Sequence, residues 1–216
     1  MAENMRQNIA TLLKSIERYN PENILTLEKY VEIQSKDNVY DLEANLALLK
    51  LYQLNPTRFN VNITCQILLK ALTNLPHTDF VLCKCLLSEK IMADDPINQI
   101  IFLGDILEQC DFQLFWLRVA TMADLCGRIV GFQDSIRKFV CHVVGITFQT
   151  INKTLLNQLL GRVDDATQKH WVKKYGWQEQ DDDVIFIANQ DENIKTKNIT
   201  EKIDFENVAG LMAACI

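Results

Sequence analysis

Apolar residues recur at three- and four-residue intervals through the first 130 positions, the period of helices buried along one face. Met5, Ile9, Leu12, Leu13 and Ile16 share one side of a helix predicted over residues 4–18. Asn20-Pro21-Glu22 then stops and restarts the chain, with Asn20 able to cap and Pro21 suited to a first helical position. A second helix is predicted to about Gln34, and a third over 40–53 turns Leu42, Leu46, Leu49 and Tyr52 inward. Asn55-Pro56 breaks the chain before a fourth helix over 61–74, rich in Ile67, Leu68, Leu69 and Leu72. Asn74-Leu75-Pro76 ends that element, and 78–87 forms a short, nearly all-apolar helix. Asp95-Pro96 repeats the cap-plus-proline start ahead of a helix over 97–108, which carries Ile97, Ile100, Ile101, Leu103 and Leu107. Residues 111–126 hold Phe112, Phe115, Trp116, Val119 and Leu125, with Trp116 read as core. Helices on such short links cannot each bury a stripe alone, whereas antiparallel stacking as in a helical-repeat (HEAT-like) array can. No sequence period accompanies the pattern, so the repeat is one of packing only.

Gly127 to Gly131 marks the predicted junction between a domain over 1–130 and a second over 131–216. The second opens with a helix over 132–149 bearing Ile136, Phe139, Val140, Val143 and Val144, followed by a helix over 152–160. Asp164 or Asp165 caps a third helix that runs to about Tyr175, with Gly176 as its stop. A strand over Val184–Ala188 is expected to pair with the segment around Ile194–Ile199, and a final helix covers about Phe205 to Ala213. Helix, helix, helix and wing in that order predict a winged helix. The expected fold class is therefore mostly α, a helical-repeat array followed by a winged-helix domain.

Composition agrees: 48% of the 216 residues are apolar, and only 4 prolines and 7 glycines interrupt them. A net charge of −6 argues against a dominant phosphate-binding surface. The third helix of the second domain does carry Lys169, Lys173 and Lys174 beside His170, and the wing segment adds Lys195 and Lys197. This modest patch offers at most weak contact with an RNA backbone, and a solvated lysine face is the favoured reading. Asp164 and Asp165 occupy the helix end that would enter a groove, Asp181, Asp182 and Asp183 flank the wing, and no Arg or Asn display aims at base edges. Specific DNA binding is thus not expected. No segment reaches the apolar length of a membrane span, and the first residues read as an amphipathic helix rather than a signal peptide. Seven cysteines, an odd number and mostly within apolar helical runs, suggest reduced thiols in an intracellular protein. The cytoplasm is the expected compartment, with the nucleus left open.

Each constellation with chemical potential has a structural explanation. Cys83 and Cys85 would point roughly 200° apart on a helix, and no second close pair completes a zinc site. Cys141 and His142 are adjacent, about 100° apart, and poorly set for proton transfer. His77 suits a helix start and His170 a helix flank. The triple aspartate 181–183 lacks the alternating ligands of a calcium loop, and Gly127 and Gly131 make no dinucleotide fingerprint. No catalytic, cofactor-binding or metal-ligating residue is assigned, and no enzyme is expected. Trp171 and Trp177 bracket Tyr175 and are read as locking the third helix against the wing. Residues 64–75 and 80–87 are apolar around most of their circumference, so each helix is either central or covered on one side by another protein.

Long stretches then match something specific. Arg18-Tyr19-Asn20-Pro21-Glu22-Asn23, Tyr40-Asp41-Leu42-Glu43-Ala44-Asn45-Leu46-Ala47 and the run from Gln66 through Leu75-Pro76-His77-Thr78-Asp79-Phe80 carry the first half of the resemblance. Arg137-Lys138-Phe139-Val140-Cys141-His142-Val143-Val144-Gly145-Ile146-Thr147, Lys174-Tyr175-Gly176-Trp177 and Lys197-Asn198-Ile199-Thr200-Glu201-Lys202-Ile203-Asp204-Phe205 carry the second. Together they resemble the subunit K family of eukaryotic translation initiation factor three, related to scaffold subunits of the proteasome lid and the signalosome. The resemblance implies a PCI-like helical repeat plus winged helix. It also implies a non-enzymatic role in translation initiation within a large assembly on the small ribosomal subunit, paired with subunit L. A proteasome-lid or signalosome-like scaffold would share this architecture, and a winged-helix nucleic-acid regulator is the more distant alternative. Tyr175, Trp177, Phe186 and Ile187 are expected to hold the winged helix, and Phe132 and Phe139 to tie the two domains.

Overall fold

In the computed structural model, which describes residues 2–180, 183–190, 208–209 and 212–213, polar side chains at the turns set where half of the α-helices start. Helix α1 spans Ala2–Lys14. Ser15 ends it: its hydroxyl accepts the Glu17 amide at 3.2 Å and tightens Ile16–Tyr19 into a 3₁₀ turn. The helix expected over 4–18 is therefore shorter, and Ile16 leaves its apolar face to stand 84% exposed, while Ile9 and Leu13 are buried. Asn20 caps as its residue type suggests, accepting the Glu22 amide at 3.1 Å, but it starts a 3₁₀ turn over Pro21–Asn23 before α2, Ile24–Lys36. Asp41 caps α3, Leu42–Leu54, which buries Leu49 and Tyr52 and leaves Leu42 and Leu46 half-buried. Asn60 caps α4, Val61–Leu72.

After α5, Asp79–Cys85, Ser88 caps a short helix that periodicity did not reveal, α6, Glu89–Ala93. Helix α7, Ile97–Glu108, corrects the reading of Asp95 as a cap. Pro96 itself occupies the cap position, and the Asn98 amide finds the Asp94 carbonyl at 3.1 Å instead of a side chain. The helix expected over 111–126 is two: α8, Phe112–Thr121, capped by Asp111, and α9, Ala123–Cys126. Met122 departs from helical geometry between them, at φ −114° and ψ 28°.

Gly131, at φ +74°, turns the chain into α10, Phe132–Thr147. Next come β1, Thr150–Asn152, α11, Lys153–Leu159, α12, Asp165–Lys174, β2, Gln178–Glu179, and β3, Val184–Phe186. Asp164 is the cap of α12, and Gly176 at φ +70° closes it. The sheet is antiparallel in the order β1-β3-β2, with Ile185 opposite both Ile151 and Glu179. This corrects the expected hairpin. Strand β3 is central and both of its edges are taken, while the partner proposed from sequence around Ile194–Ile199 lies outside the described residues. Of the helix expected over 205–213, residues 208–209 and 212–213 are described and helical.

The result is mostly helical with a small sheet toward the C-terminal end. Helix α4 is its centre, packed against α2, α5, α7 and α10, and every residue from Ile67 to Leu72 is buried. That settles one of the two apolar runs: 64–75 is core. Polar groups taken inside are mutually satisfied. Gln34 donates to Asn45 at 2.9 Å and accepts from the Asp41 amide at 2.9 Å, while Asp79 accepts from Tyr40 at 2.8 Å and from Asn74 at 2.7 Å. The same apolar cluster continues through Ile151, Leu156, Leu160, Trp171, Val172, Trp177, Ile185 and Ile187.

Candidate protein-docking surface

Helix α8 is unusual for a surface element. Its ten residues, FQLFWLRVAT, include a single charge, Arg118. Phe112, Phe115 and Val119 face the core, yet Leu117 is 66% exposed and Leu114 and Trp116 are half-buried. The Arg118 guanidinium lies 5.5 Å from the ring centre of Phe102, itself 44% exposed on α7. Lys84 of α5 ion-pairs with Asp105 of α7 at 3.3 Å, which binds the next helix into the same outer layer. Helix α5 buries Phe80 and Cys83 and leaves Val81 and Leu82 exposed, 42% and 43%. The second apolar run is thus uncovered on one side. Aromatic and arginine side chains with few acids are the composition of interface cores, not of ordinary solvated surface. Sequence reasoning missed Phe102, Leu117 and Arg118; the signal available was the near absence of charge in α8.

Among the described residues the cysteines and histidines do not assemble into a reactive site. Cys83 is buried and Cys85 exposed, as a two-residue step on a helix requires. Cys141 is buried and His142 exposed, on different sides of α10, and His77 and His170 are both at the surface. Burial pushes the thiols of Cys65 and Cys126 up to about 11 and those of Cys83 and Cys141 up to about 12, which holds them protonated and unreactive. Among the described residues no group of His, Cys, Asp and Glu could hold a metal ion.

Lys169, Lys173 and Lys174 are exposed on α12, and Lys195 and Lys197 lie outside the described residues. The Lys174 ammonium sits 4.4 Å from the ring centre of Trp171. Asp164 accepts both the hydroxyl and the amide of Thr167, bonds that hold its carboxyl below the usual range and keep it charged at the start of α12. A cleft of about 640 Å³ between α11, α12 and the sheet balances Lys153, Arg162 and Lys169 against Asp165, Glu179 and Asp183. Lys153 is held there by Glu179 at 3.2 Å and Asp183 at 3.8 Å.

The aromatic trio forms a stack. Tyr175 lies 6.3 Å from Trp171 and 5.3 Å from Trp177, with interplanar angles of 26° and 28°. Both indoles are buried, so neither offers a face to a base. Tyr175 donates to the Lys138 carbonyl at 3.4 Å, so the stack anchors α12 on α10 as well as beside the sheet. Ile187 is buried and Phe186 half-buried. Phe132 and Phe139 pack α10 against α8, with Phe139 edge-on to Phe112 at 5.9 Å and Phe132 against Phe115 at 6.4 Å. Trp116, expected as core, is instead half-buried where α8 meets α11 and donates to the Leu159 carbonyl at 2.8 Å.

No helix among the described residues is long and apolar enough to cross a membrane. A family model described as CSN8/PSMD8/EIF3K matches residues 58–198. The chain is 68% identical over 213 residues to eukaryotic translation initiation factor 3 subunit K of Bombyx mori, covering 99% of this chain and 97% of that one. It is 57% identical to the proteins of the same name from Xenopus laevis, over 98% of this chain and 97% of the relative, and from Homo sapiens, over 99% and 98%.

Proposed function

The chain belongs to the CSN8/PSMD8/EIF3K family, and from that premise we propose that it is a non-enzymatic scaffold subunit of eukaryotic translation initiation factor 3. It acts in the initiation of protein synthesis through protein–protein contacts. The observation that carries this reading is the 68% identity to a subunit K over nearly the whole of both chains. The uncovered apolar layer of α5, α7 and α8 supports it, because a subunit that works by burying surface needs such a layer unpartnered when it stands alone.

In this reading the chain divides into a HEAT-like domain over 1–130 and a winged helix over 131–216. The element order α10-β1-α11-α12-β2-β3 with a β1-β3-β2 sheet supports the second. Subunit L is the foremost partner, the small ribosomal subunit is met at the periphery, and the cytoplasm is the place of work. Lys169, Lys173 and Lys174 add at most weak contact with an RNA backbone. The test is a tagged pull-down of the full chain from native extract, with nuclease treatment and identification of partners by mass spectrometry. Nuclease-resistant recovery of initiation-factor-3 subunits, with subunit L among them, is expected. Recovery of proteasome-lid or signalosome subunits instead, or of nuclease-sensitive partners only, overturns the proposal.

A further inference from the structure

The C-terminal end of α11 is satisfied in an unusual way. The last carbonyls of any helix lack partners within it and must be met by a following turn, by water or by other groups. Here two come from elsewhere in the fold. The Trp116 indole N–H, from α8, donates to the Leu159 carbonyl at 2.8 Å. The Arg137 guanidinium, from α10, donates to the Leu160 carbonyl at 3.2 Å, and its positive charge also suits a helix C-terminus. The two donors brace each other, since Arg137 lies 5.3 Å from the ring centre of Trp116 and is itself held by Asp134 at 2.9 Å.

Gly161 completes the arrangement. Its φ of +91° lets the chain turn away directly after α11. Its missing side chain also makes room for the indole, because a Cβ there would stand 2.7, 2.9 and 3.1 Å from Cδ2, Cε2 and Cγ of Trp116. Beside it, Gln113 of α8 donates to Gln158 of α11 at 3.2 Å, and just before Gly131 the Val130 amide donates to the Ser35 carbonyl of α2 at 3.0 Å, which holds the end of the array in place.

We propose that Trp116, Arg137 and Gly161 form a latch that fixes the C-terminal module at one angle on the helical array. The end of α11 is fully bonded only when α8 and α10 are both seated against it, so closing the latch and setting the angle are one event. Resting on the scaffold reading above, this makes the chain a rigid spacer. A partner that touches both parts meets a single preformed surface and pays no cost for ordering them.

The test uses the isolated full chain, so it can fail without touching the assignment of partners. The amides of Leu160, Gly161 and Arg162 bond to Leu156, Gln158 and Asn157 and report on the end of α11. Trp116→Phe keeps a ring and removes the donor, while Gly161→Ala keeps the donor and displaces the ring. Each variant is expected to speed hydrogen exchange at those three amides by about tenfold, with the amides of α4 unchanged, and to broaden the small-angle scattering distance distribution. The double variant is expected to exchange little faster than either single one, because both open the same latch. Unchanged exchange at the end of α11 overturns the proposal. So does unchanged scattering despite faster exchange, or an acceleration shared equally by α4.

Discussion

Lys70 sits where a lysine is least expected. It lies on α4, the central helix, only 1% exposed between Leu69 and Ala71, and it takes part in none of the ion pairs among the described residues. Desolvation disfavours its charged form and lowers its pKa from 10.5 to about 8. Between those two values the unfolded chain binds the proton that the folded chain releases, so stability rises with pH across the window. Below the folded pKa the full penalty applies, and the shift converts to about 3 kcal/mol. Methionine keeps the unbranched stem and removes the charge. Lys70→Met is therefore expected to stabilise the fold near pH 7 by up to about 3 kcal/mol, a large part of the usual stability of a domain. The gain should shrink steadily as the pH rises from the folded toward the unfolded value. Urea unfolding of both proteins at about pH 7 and about pH 10 measures it. Thiols and tyrosines that titrate in the same range are common to both proteins and cancel in the difference. A gap of equal size at the two pH values would refute the reasoning, because it would show that packing and not protonation sets the cost. A less stable Lys70→Met at neutral pH would refute it more simply.

The other expectations are direct. Gly104→Ala should destabilise by about 1–3 kcal/mol in the same unfolding assay, because a Cβ there falls 2.2 Å from Cε1 of Phe80 in the α5–α7 contact; a neutral effect would mean that Phe80 has room to turn away. A thiol reagent should modify Cys85 and Cys110 in the native chain and reach Cys65, Cys83, Cys126 and Cys141 only on unfolding, and rapid native labelling of any of these four would contradict their burial. Phe102→Asp combined with Leu117→Asp should leave the unfolding midpoint nearly unchanged, both sites being exposed, and should cut recovery of protein partners in the pull-down; undiminished recovery would remove the α7–α8 layer from the interface. Glutamate at Lys169, Lys173 and Lys174 together should leave nuclease-resistant recovery as it was, and its loss would mean that the lysine face of α12 does carry a partner.

Much of the helical array was legible because it follows from period and cap chemistry. Asn20, Asp164 and Gly176 act where their residue types predict. What sequence could not show was the outcome of competitions between neighbours. Asp95 looked like a cap equal to Asn20, but the Asp94 carbonyl reached the same amide first. Strands β1 and β2 are three and two residues long, too short for any alternation to register, and they exist because β3 offers both edges. The burial of Lys70 had no signal in the sequence, because it follows from the helices that pack around α4. The exposed apolar layer was half legible. The excess of apolar residues in 64–75 and 80–87 was plain, but only tertiary packing decides that α4 is covered by its own chain and α5 is not.

Competition between neighbours also sets which charges of α12 are available. A helix that reads a duplex presents its first turn and a free set of donors to the groove. Here the first turn of α12 holds two carboxylates, and the bonds from Thr167 keep Asp164 ionised, so that end repels phosphate. At the other end Lys174 is folded over Trp171, the ring it would have to leave in order to meet a backbone. Lys153, next to the cleft, is engaged by two acids. Asp164, Lys174 and the aromatic stack are thus engaged within the fold around α12. Ile146 on α10, Leu155 on α11 and Tyr175 remain exposed, as do Lys169 and Lys173. Exposed apolar side chains of this kind are suited to another protein, and the proposed latch at Trp116 would set the angle at which they are offered.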